Sequence, residues 1–265
     1  MNRPIGIFDS GFGGLTVMKE FMHQLPNEDI IYFGDTARVP YGIKSKETVV
    51  RFSLENVLFL LDLNVKLIVV ACNTSTSLAL DVLKRNFKVP IIGVITPGVR
   101  AAVESTRNGR IGVIGTGATI SSGVYEKEIK IRNSRIKVFS KSCPLFVPLV
   151  EEGWINTDVS KKVVCEYLLP LKKAKIDTLI LGCTHYPLLK GAIKEFMGDD
   201  VRLIDSAKHV SIEADSILSS EGIRTDSSAR GKYRYYVTDK PDMFLRFSKW
   251  FLKVRAADVK KVEVK

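Results

Sequence analysis

Two short stretches pair a thiol with a polar turn at the end of an apolar run. In Leu179-Ile180-Leu181-Gly182-Cys183-Thr184-His185-Tyr186-Pro187 the run stops at a glycine, and a thiol, a hydroxyl, an imidazole and a proline follow. In Ile68-Val69-Val70-Ala71-Cys72-Asn73-Thr74-Ser75 the thiol comes directly after the run. An apolar run broken in this way reads as a buried strand turning into a helix. A cysteine at such a turn can be acidic and reactive. One thiol beside an imidazole suits nucleophilic catalysis, with His185 as base and Asp9 or Glu151 as its orienter. That chemistry leaves Cys72 without a use. Two thiols in matched settings suit a stereochemical inversion: one takes a proton from a carbon and the other returns a proton to the opposite face. A thiol with an ordinary pKa of about 8.5 can do either job near neutrality once its surroundings shift it. A lone cysteine is more often a small buried hydrophobe. That is the reading for Cys143, and for Cys165 inside the helical pattern Val163–Leu171. His185 also has a plainer reading, as a cap on the following helix.

The elements that must position these groups alternate. Strands are expected at 5–8, 29–34, 66–71, 89–95, 110–115, 136–139, 178–181 and 201–204. Helices are expected at 15–21, 45–63, 73–84, 96–104, 123–129 and 159–171. Alternation of this kind argues parallel sheets with helices on both faces. The first strand opens into Asp9-Ser10-Gly11-Phe12-Gly13-Gly14, a glycine-rich loop before a helix, which can cradle an anion. Its glycines do not fit a dinucleotide fingerprint. Asp9 reads as a helix N-cap, or as a group that holds a substrate ammonium or assists a base. The loop Gly34-Asp35-Thr36-Ala37-Arg38-Val39-Pro40-Tyr41-Gly42 either carries a site or turns the chain. Pro144–Gly153 reads as a loop holding Glu151 and Glu152.

The order then restarts. Ile111-Gly112-Val113-Ile114 echoes Ile5-Gly6-Ile7-Phe8 at an offset of 106 (111 − 5), and Ile136–Phe139 matches Ile30–Phe33 at the same offset. Cys183 follows Cys72 at an offset of 111 (183 − 72). Two similar α/β halves are expected, facing each other about a pseudo-dyad with both thiols at one cleft. Beyond the repeat, the tail adds a helix at 208–221, a strand Tyr233–Val237 and a helix Pro241–Leu252.

The chain has 265 residues, 45% of them hydrophobic, enough for a full core. No leader-like or membrane-spanning run is read, and a cytoplasmic protein is expected. The four cysteines form no Cys-x-x-Cys pair, so neither a zinc site nor a disulfide framework is expected. The net charge is +11, but lysine and arginine are spread along the chain. The densest run, Lys253–Lys265, mixes in Asp258 and Glu263. Solvated surface charge, with some attraction of an anionic substrate, is preferred to nucleic-acid binding.

Five motifs taken together resemble the glutamate racemases. They are Asp9-Ser10-Gly11-x-Gly-Gly, Gly34-Asp35-Thr36-Ala37-Arg38-x-Pro40-Tyr41-Gly42, Ala71-Cys72-Asn73-Thr74, Pro144–Gly153 and Gly182-Cys183-Thr184-His185-Tyr186-Pro187. The resemblance implies a two-base interconversion of L- and D-glutamate without cofactor or metal, supplying D-glutamate for bacterial peptidoglycan. It implies that Cys72 acts on D-glutamate with help from Asp9. Cys183 would act on L-glutamate with help from Glu151 and His185. Asp9, Ser10, Pro40, Tyr41, Gly42, Asn73, Thr74, Thr184 and His185 would hold the substrate, with Thr116 and Thr119 on its carboxylate side. It further implies a homodimer and two domains, 1–95 plus 208–265 and 96–207, facing across a cleft. Regulation through an N-terminal extension, known for some relatives, is not expected. The alternatives are an aspartate or hydantoin racemase on a related scaffold, or a non-catalytic binding role for the basic surface.

Overall fold

The computed structural model describes residues 3–252 and 259–264. Residues 253–258 and 265 of the basic run Lys253–Lys265 therefore lie outside the described residues. Among those described, ten strands form two sheets. The strands are β1 (Ile5–Asp9), β2 (Ile30–Gly34), β3 (Leu67–Val70), β4 (Ile91–Gly93), β5 (Arg110–Gly115), β6 (Lys137–Ser142), β7 (Thr178–Gly182), β8 (Arg202–Ile204), β9 (Tyr233–Val237) and β10 (Val259–Lys261). The first sheet runs β10-β9-β2-β1-β3-β4 and the second β6-β5-β7-β8, with every pairing parallel. The shared order β2-β1-β3-β4 and β6-β5-β7-β8 is the repeat read from the sequence.

Interior strands read as unbroken apolar runs because helices cover both of their faces. The helices are α1 (Leu15–Gln24), α2 (Lys46–Asp62), α3 (Asn73–Asn86), α4 (Ile95–Ser105), α5 (Gly117–Ser121), α6 (Val124–Arg132), α7 (Phe146–Glu151), α8 (Asp158–Lys173), α9 (Lys190–Met197), α10 (Ser206–Ser220) and α11 (Pro241–Leu252). Helix α10 packs against α1 and α4, and α11 packs against α1. One core cluster takes in Ile7, Leu15 and Val69 together with Phe146, Leu179 and Cys183, so the two sheets share a continuous interior.

The repeat reaches into the packing. A Cβ on Gly6 would lie 3.0 Å from Val65 and 3.1 Å from Leu60; one on Gly112 would lie 2.4 Å from Ile176 and 3.6 Å from Leu171. Val65 and Leu60 become Ile176 and Leu171 at the 111 offset, so both halves spend a strand glycine on the same close approach.

Several expectations change. Val138, not Ile136, stands opposite Ile111 as Ile30 stands opposite Ile5, so the β2–β6 correspondence slips by two residues. The fourth strand stops at Gly93, and Ile95 already begins α4. The stretch 144–153 is not an open loop, because α7 occupies its middle. Phe146, Leu149 and Val150 share its buried face, and Pro148 sits in the first turn, where no backbone donor is needed. Cys165 is exposed rather than buried. Helix α8 turns Ser160, Val164, Leu168 and Leu171 inward, and the position after Val164 falls outside that stripe. Cys143 is buried as expected. Among the described residues, no helix is long and apolar enough to cross a membrane.

At the end of the first sheet away from the thiols, Lys66 and Glu28 form a buried charge pair at 2.6 Å. Lys66 also donates to the carbonyl of Ile223 at 2.7 Å, and Glu28 Oε1 accepts from the Thr225 N–H at 2.7 Å. The pair thereby ties the segment leading to β9 onto the sheet. Lys66→Ala would leave the Glu28 carboxylate buried and unpaired, at an expected cost of about 3–5 kcal/mol. Urea denaturation should show the midpoint falling at unchanged slope.

Candidate active site

Both thiols lie beyond the carboxyl ends of parallel strands, where open α/β sheets bind ligands. Cys72 is the residue before α3 and Cys183 follows β7. They open on one cavity of about 270 Å³, with Ser10 after β1, Pro40, Tyr41 and Gly42 after β2, and Asn73 and Thr74 at the start of α3. The second half contributes Thr116, Glu151, Thr184 and His185. The sequence motifs thus converge. Asp9 and Thr119 do not line the cavity; they stand behind its wall. The remaining wall includes Val39, Ile43, Gly117, Pro144, Val147 and Pro148, which sequence reasoning missed. Pro144, Val147, Pro148 and Glu151 share one side of α7 and its approach, opposite Phe146 and Val150. A helical reading of that stretch would have exposed this face.

Around Cys72 the surroundings favour the thiol. Burial, and after it the nearby negative charge of Asp9, push its pKa up to about 11. Its sulfur donates to Ser10 Oγ at 3.6 Å. Asp9 is fully buried, and burial raises its pKa; the charge of His185 and the bonds it accepts oppose that rise. Its Oδ2 accepts from the Gly11 N–H at 2.9 Å, and its Oδ1 from the Thr184 hydroxyl at 3.3 Å. It is not the N-cap of α1, a position held by Gly14. Asp9 instead joins the first glycine-rich loop to the threonine beside the second cysteine.

Around Cys183 the surroundings favour a cation. His185 Nδ1 lies 4.0 Å from the sulfur and Nε2 lies 3.0 Å from Glu151 Oε1. Burial alone would lower the imidazole's pKa, but its bonds and attraction to Cys183 and Glu151 outweigh that and raise it to about 10. The ring is held between sulfur and carboxylate and caps no helix. Gly13 packs directly beneath it: a Cβ there would lie 2.3 Å from Thr184 Oγ1 and 2.5 Å from His185 Nδ1. Thr16 Oγ1 also donates to the Thr184 carbonyl at 3.1 Å. These two contacts were not read from the sequence.

Thr74 and Thr116 line the cavity, and with Thr119 behind them three hydroxyls cross between the halves. Thr74 lies 3.0 Å from Thr116 and 3.2 Å from Thr119, and Thr116 and Thr119 are 3.0 Å apart. Tyr125 donates to Asn73 Oδ1 at 2.6 Å, another contact across the halves. Among the described residues no group of three or more His, Cys, Asp and Glu side chains converges as a metal site.

The raised pKa of His185 has a stability consequence. The folded protein keeps this proton up to about pH 10, whereas the unfolded chain releases it near an ordinary value of about 6.5. Its stabilisation is complete below the lower value and is lost as pH rises toward the higher one. Glu151→Gln removes one of the charges that hold the proton. Denaturant melts at several pH values from 6 to 9 should show a decline in stability that is shallower in the variant.

A family model described as Asp/Glu/hydantoin racemase matches residues 5–210. A glutamate racemase from Geobacter metallireducens is 50% identical over 262 residues, which cover 99% of this chain and 97% of that one. The crystal structure of a glutamate racemase isoform from Bacillus anthracis matches with a TM-score of 0.95 at 44% identity, covering 99% of this chain and 98% of that one. A glutamate racemase from Francisella tularensis, solved in complex with D-glutamate, matches with a TM-score of 0.94 at 42% identity, over 99% and 98% of the two chains. The chain, with its twin parallel sheets and its two cysteines at one cavity, belongs to the Asp/Glu/hydantoin racemase family.

Proposed function

We infer that this protein is a glutamate racemase, interconverting L- and D-glutamate and so supplying D-glutamate for peptidoglycan. The observation that carries this reading is the pair of sulfurs opening on one small cavity from corresponding strand ends, in a chain 50% identical to a named glutamate racemase. A cytoplasmic location and a homodimer go with it. So does a division into 1–95 plus 208–265 and 96–207, which the joining of β9 and β10 to the first sheet supports.

In this mechanism Cys183 takes the α-proton of L-glutamate and Cys72 delivers a proton to the other face of the carbon. The C–H electron pair stays on the α-carbon until the S–H proton of Cys72 arrives, so the count of protons is unchanged. The enzyme ends with Cys183 protonated and Cys72 as the thiolate, ready for the reverse reaction on D-glutamate. The resting arrangement fits the first direction: a thiol pushed up to about 11 remains a donor at neutral pH. The imidazolium of His185 beside Cys183 balances charge at the other sulfur. In the reverse direction the Cys72 thiolate takes the α-proton of D-glutamate, and Asp9, fully buried and close enough to act through its charge, assists by making that thiolate more basic. Ser10, Asn73, Thr74 and Thr184 offer hydrogen bonds to the ammonium and carboxylates. Thr116 completes the carboxylate end with Thr119 bonded to it from behind, while Pro40, Tyr41 and Gly42 form the wall that fixes the carbon chain.

With L-glutamate in D₂O, optical rotation should decay to zero, with deuterium entering at Cα in the product enantiomer first. Constant rotation in the presence of folded protein would sink the reading, and faster turnover of aspartate would favour an aspartate racemase instead. Cys72→Ser and Cys183→Ser should each lower kcat by on the order of 10²–10⁴-fold, because an alcohol is a far poorer proton carrier than a thiol at neutral pH.

A further inference from the structure

Behind one wall of the cavity lies a polar cluster that the proton transfers do not use. Asp35, just past β2, is fully buried. Its Oδ2 accepts from Arg38 Nε at 2.6 Å and from the Tyr41 hydroxyl, and its Oδ1 accepts from Thr238 Oγ1 at 3.0 Å, at the end of β9. Arg38 reaches on to Glu55, donates to Asn56 Oδ1 at 3.2 Å, and lies 4.0 Å over the Phe52 ring. Asn56 Nδ2 donates back to the Tyr41 hydroxyl at 3.2 Å. The phenol oxygen of Tyr41 is thus taken up inside the cluster, in a residue that also lines the cavity. The segment from Asp35 to Gly42 carries the wall, and its far end is wedged: a Cβ on Gly42 would lie 2.6 Å from Thr116 Cβ.

We propose that Asp35 is a positioning residue for the racemisation. Its carboxylate gathers three donors at one buried point and so fixes Tyr41 and the adjoining wall, with Thr238 tying the C-terminal strand to the same point. Hydrogen bonds to a carboxylate away from water are short and directional, which suits them to hold a segment that has little regular structure of its own. This wall holds the carbon chain of the substrate and not the sulfurs, so its displacement weakens the binding of both enantiomers and shows in KM. The proposal rests on the racemase reading above, and wild-type racemisation in the same assay tests that reading separately.

The test is a kinetic cycle on the full chain with Asp35→Asn, Tyr41→Phe and the double variant. Asp35→Asn keeps the side chain's shape but replaces an acceptor oxygen with a donor. Each single variant should raise KM for both enantiomers roughly tenfold or more, the worth of one hydrogen bond to a charged group. The double should lose no more than the worse single, because both changes remove one shared contact. Losses that multiply in the double overturn the proposal, as does a fall in kcat at unchanged KM, the mark of less folded enzyme. Thr238→Val leaves Asp35 with Arg38 and Tyr41, and should raise KM about two- to fivefold, the worth of one modest hydrogen bond. If Asp35→Asn does not fold, Thr238→Val decides, and an unchanged KM there overturns the proposal.

Discussion

Exclusion of water from two sulfurs and one carboxylate, at the level where two parallel sheets end, is what the rest of the site depends on. Burial drives Cys72 toward the thiol and raises Asp9, and it lets the charge of Asp9 act on Cys72 with little screening. The same dry setting allows Cys183 and Glu151 to hold a proton on His185 against the penalty of burying a cation. Asp9 belongs to the first half and Thr184, which donates to it, to the second. A gap between the halves would admit water, weaken every one of these fields and bring the two sulfurs closer to equivalence. The continuous core beneath them is therefore part of the chemistry.

The fold was legible where strands are covered on both faces. Ile5–Asp9, Leu67–Val70 and Thr178–Gly182 are apolar runs with clear stops, and their order gives the sheets. Legibility failed where the environment differs. Strand β2 is wholly buried because β9 covers its edge, while β6 holds the matching place at an open edge and carries Lys137, Ser140, Lys141 and Ser142. An edge strand needs less apolar surface and benefits from charge. The apolar Ile136 just outside β6 consequently mimics a strand start, and β10, Val259-Lys260-Lys261, carries no strand signal at all. The prolines of 144–153 masked α7 in a similar way.

Residue types at the site were readable because chemistry restricts them: thiols, an imidazole and carboxylates at strand ends are few. What held them was not readable. Gly13 under His185, Thr16 on the Thr184 carbonyl and Thr238 on Asp35 all join positions more than 160 residues apart in the chain. No spacing rule within one element can anticipate such contacts. The tail shows the point most plainly, since its strand β9 both protects the edge of β2 and delivers the Thr238 hydroxyl to the loop of the cavity.

The two sulfurs keep different company: Cys72 has Ser10 and the charge of Asp9, while Cys183 has an imidazolium backed by Glu151. A racemase joins mirror-image compounds of equal free energy, so its equilibrium constant is unity and kcat/KM must be identical for the two enantiomers. No arrangement of side chains can tilt that balance. The unequal surroundings can only be expressed as a division, with one enantiomer bound more tightly and turned over more slowly than the other in compensating proportion. An asymmetric protein thus carries out a symmetric reaction, and its handedness is confined to how each half-reaction divides between binding and turnover.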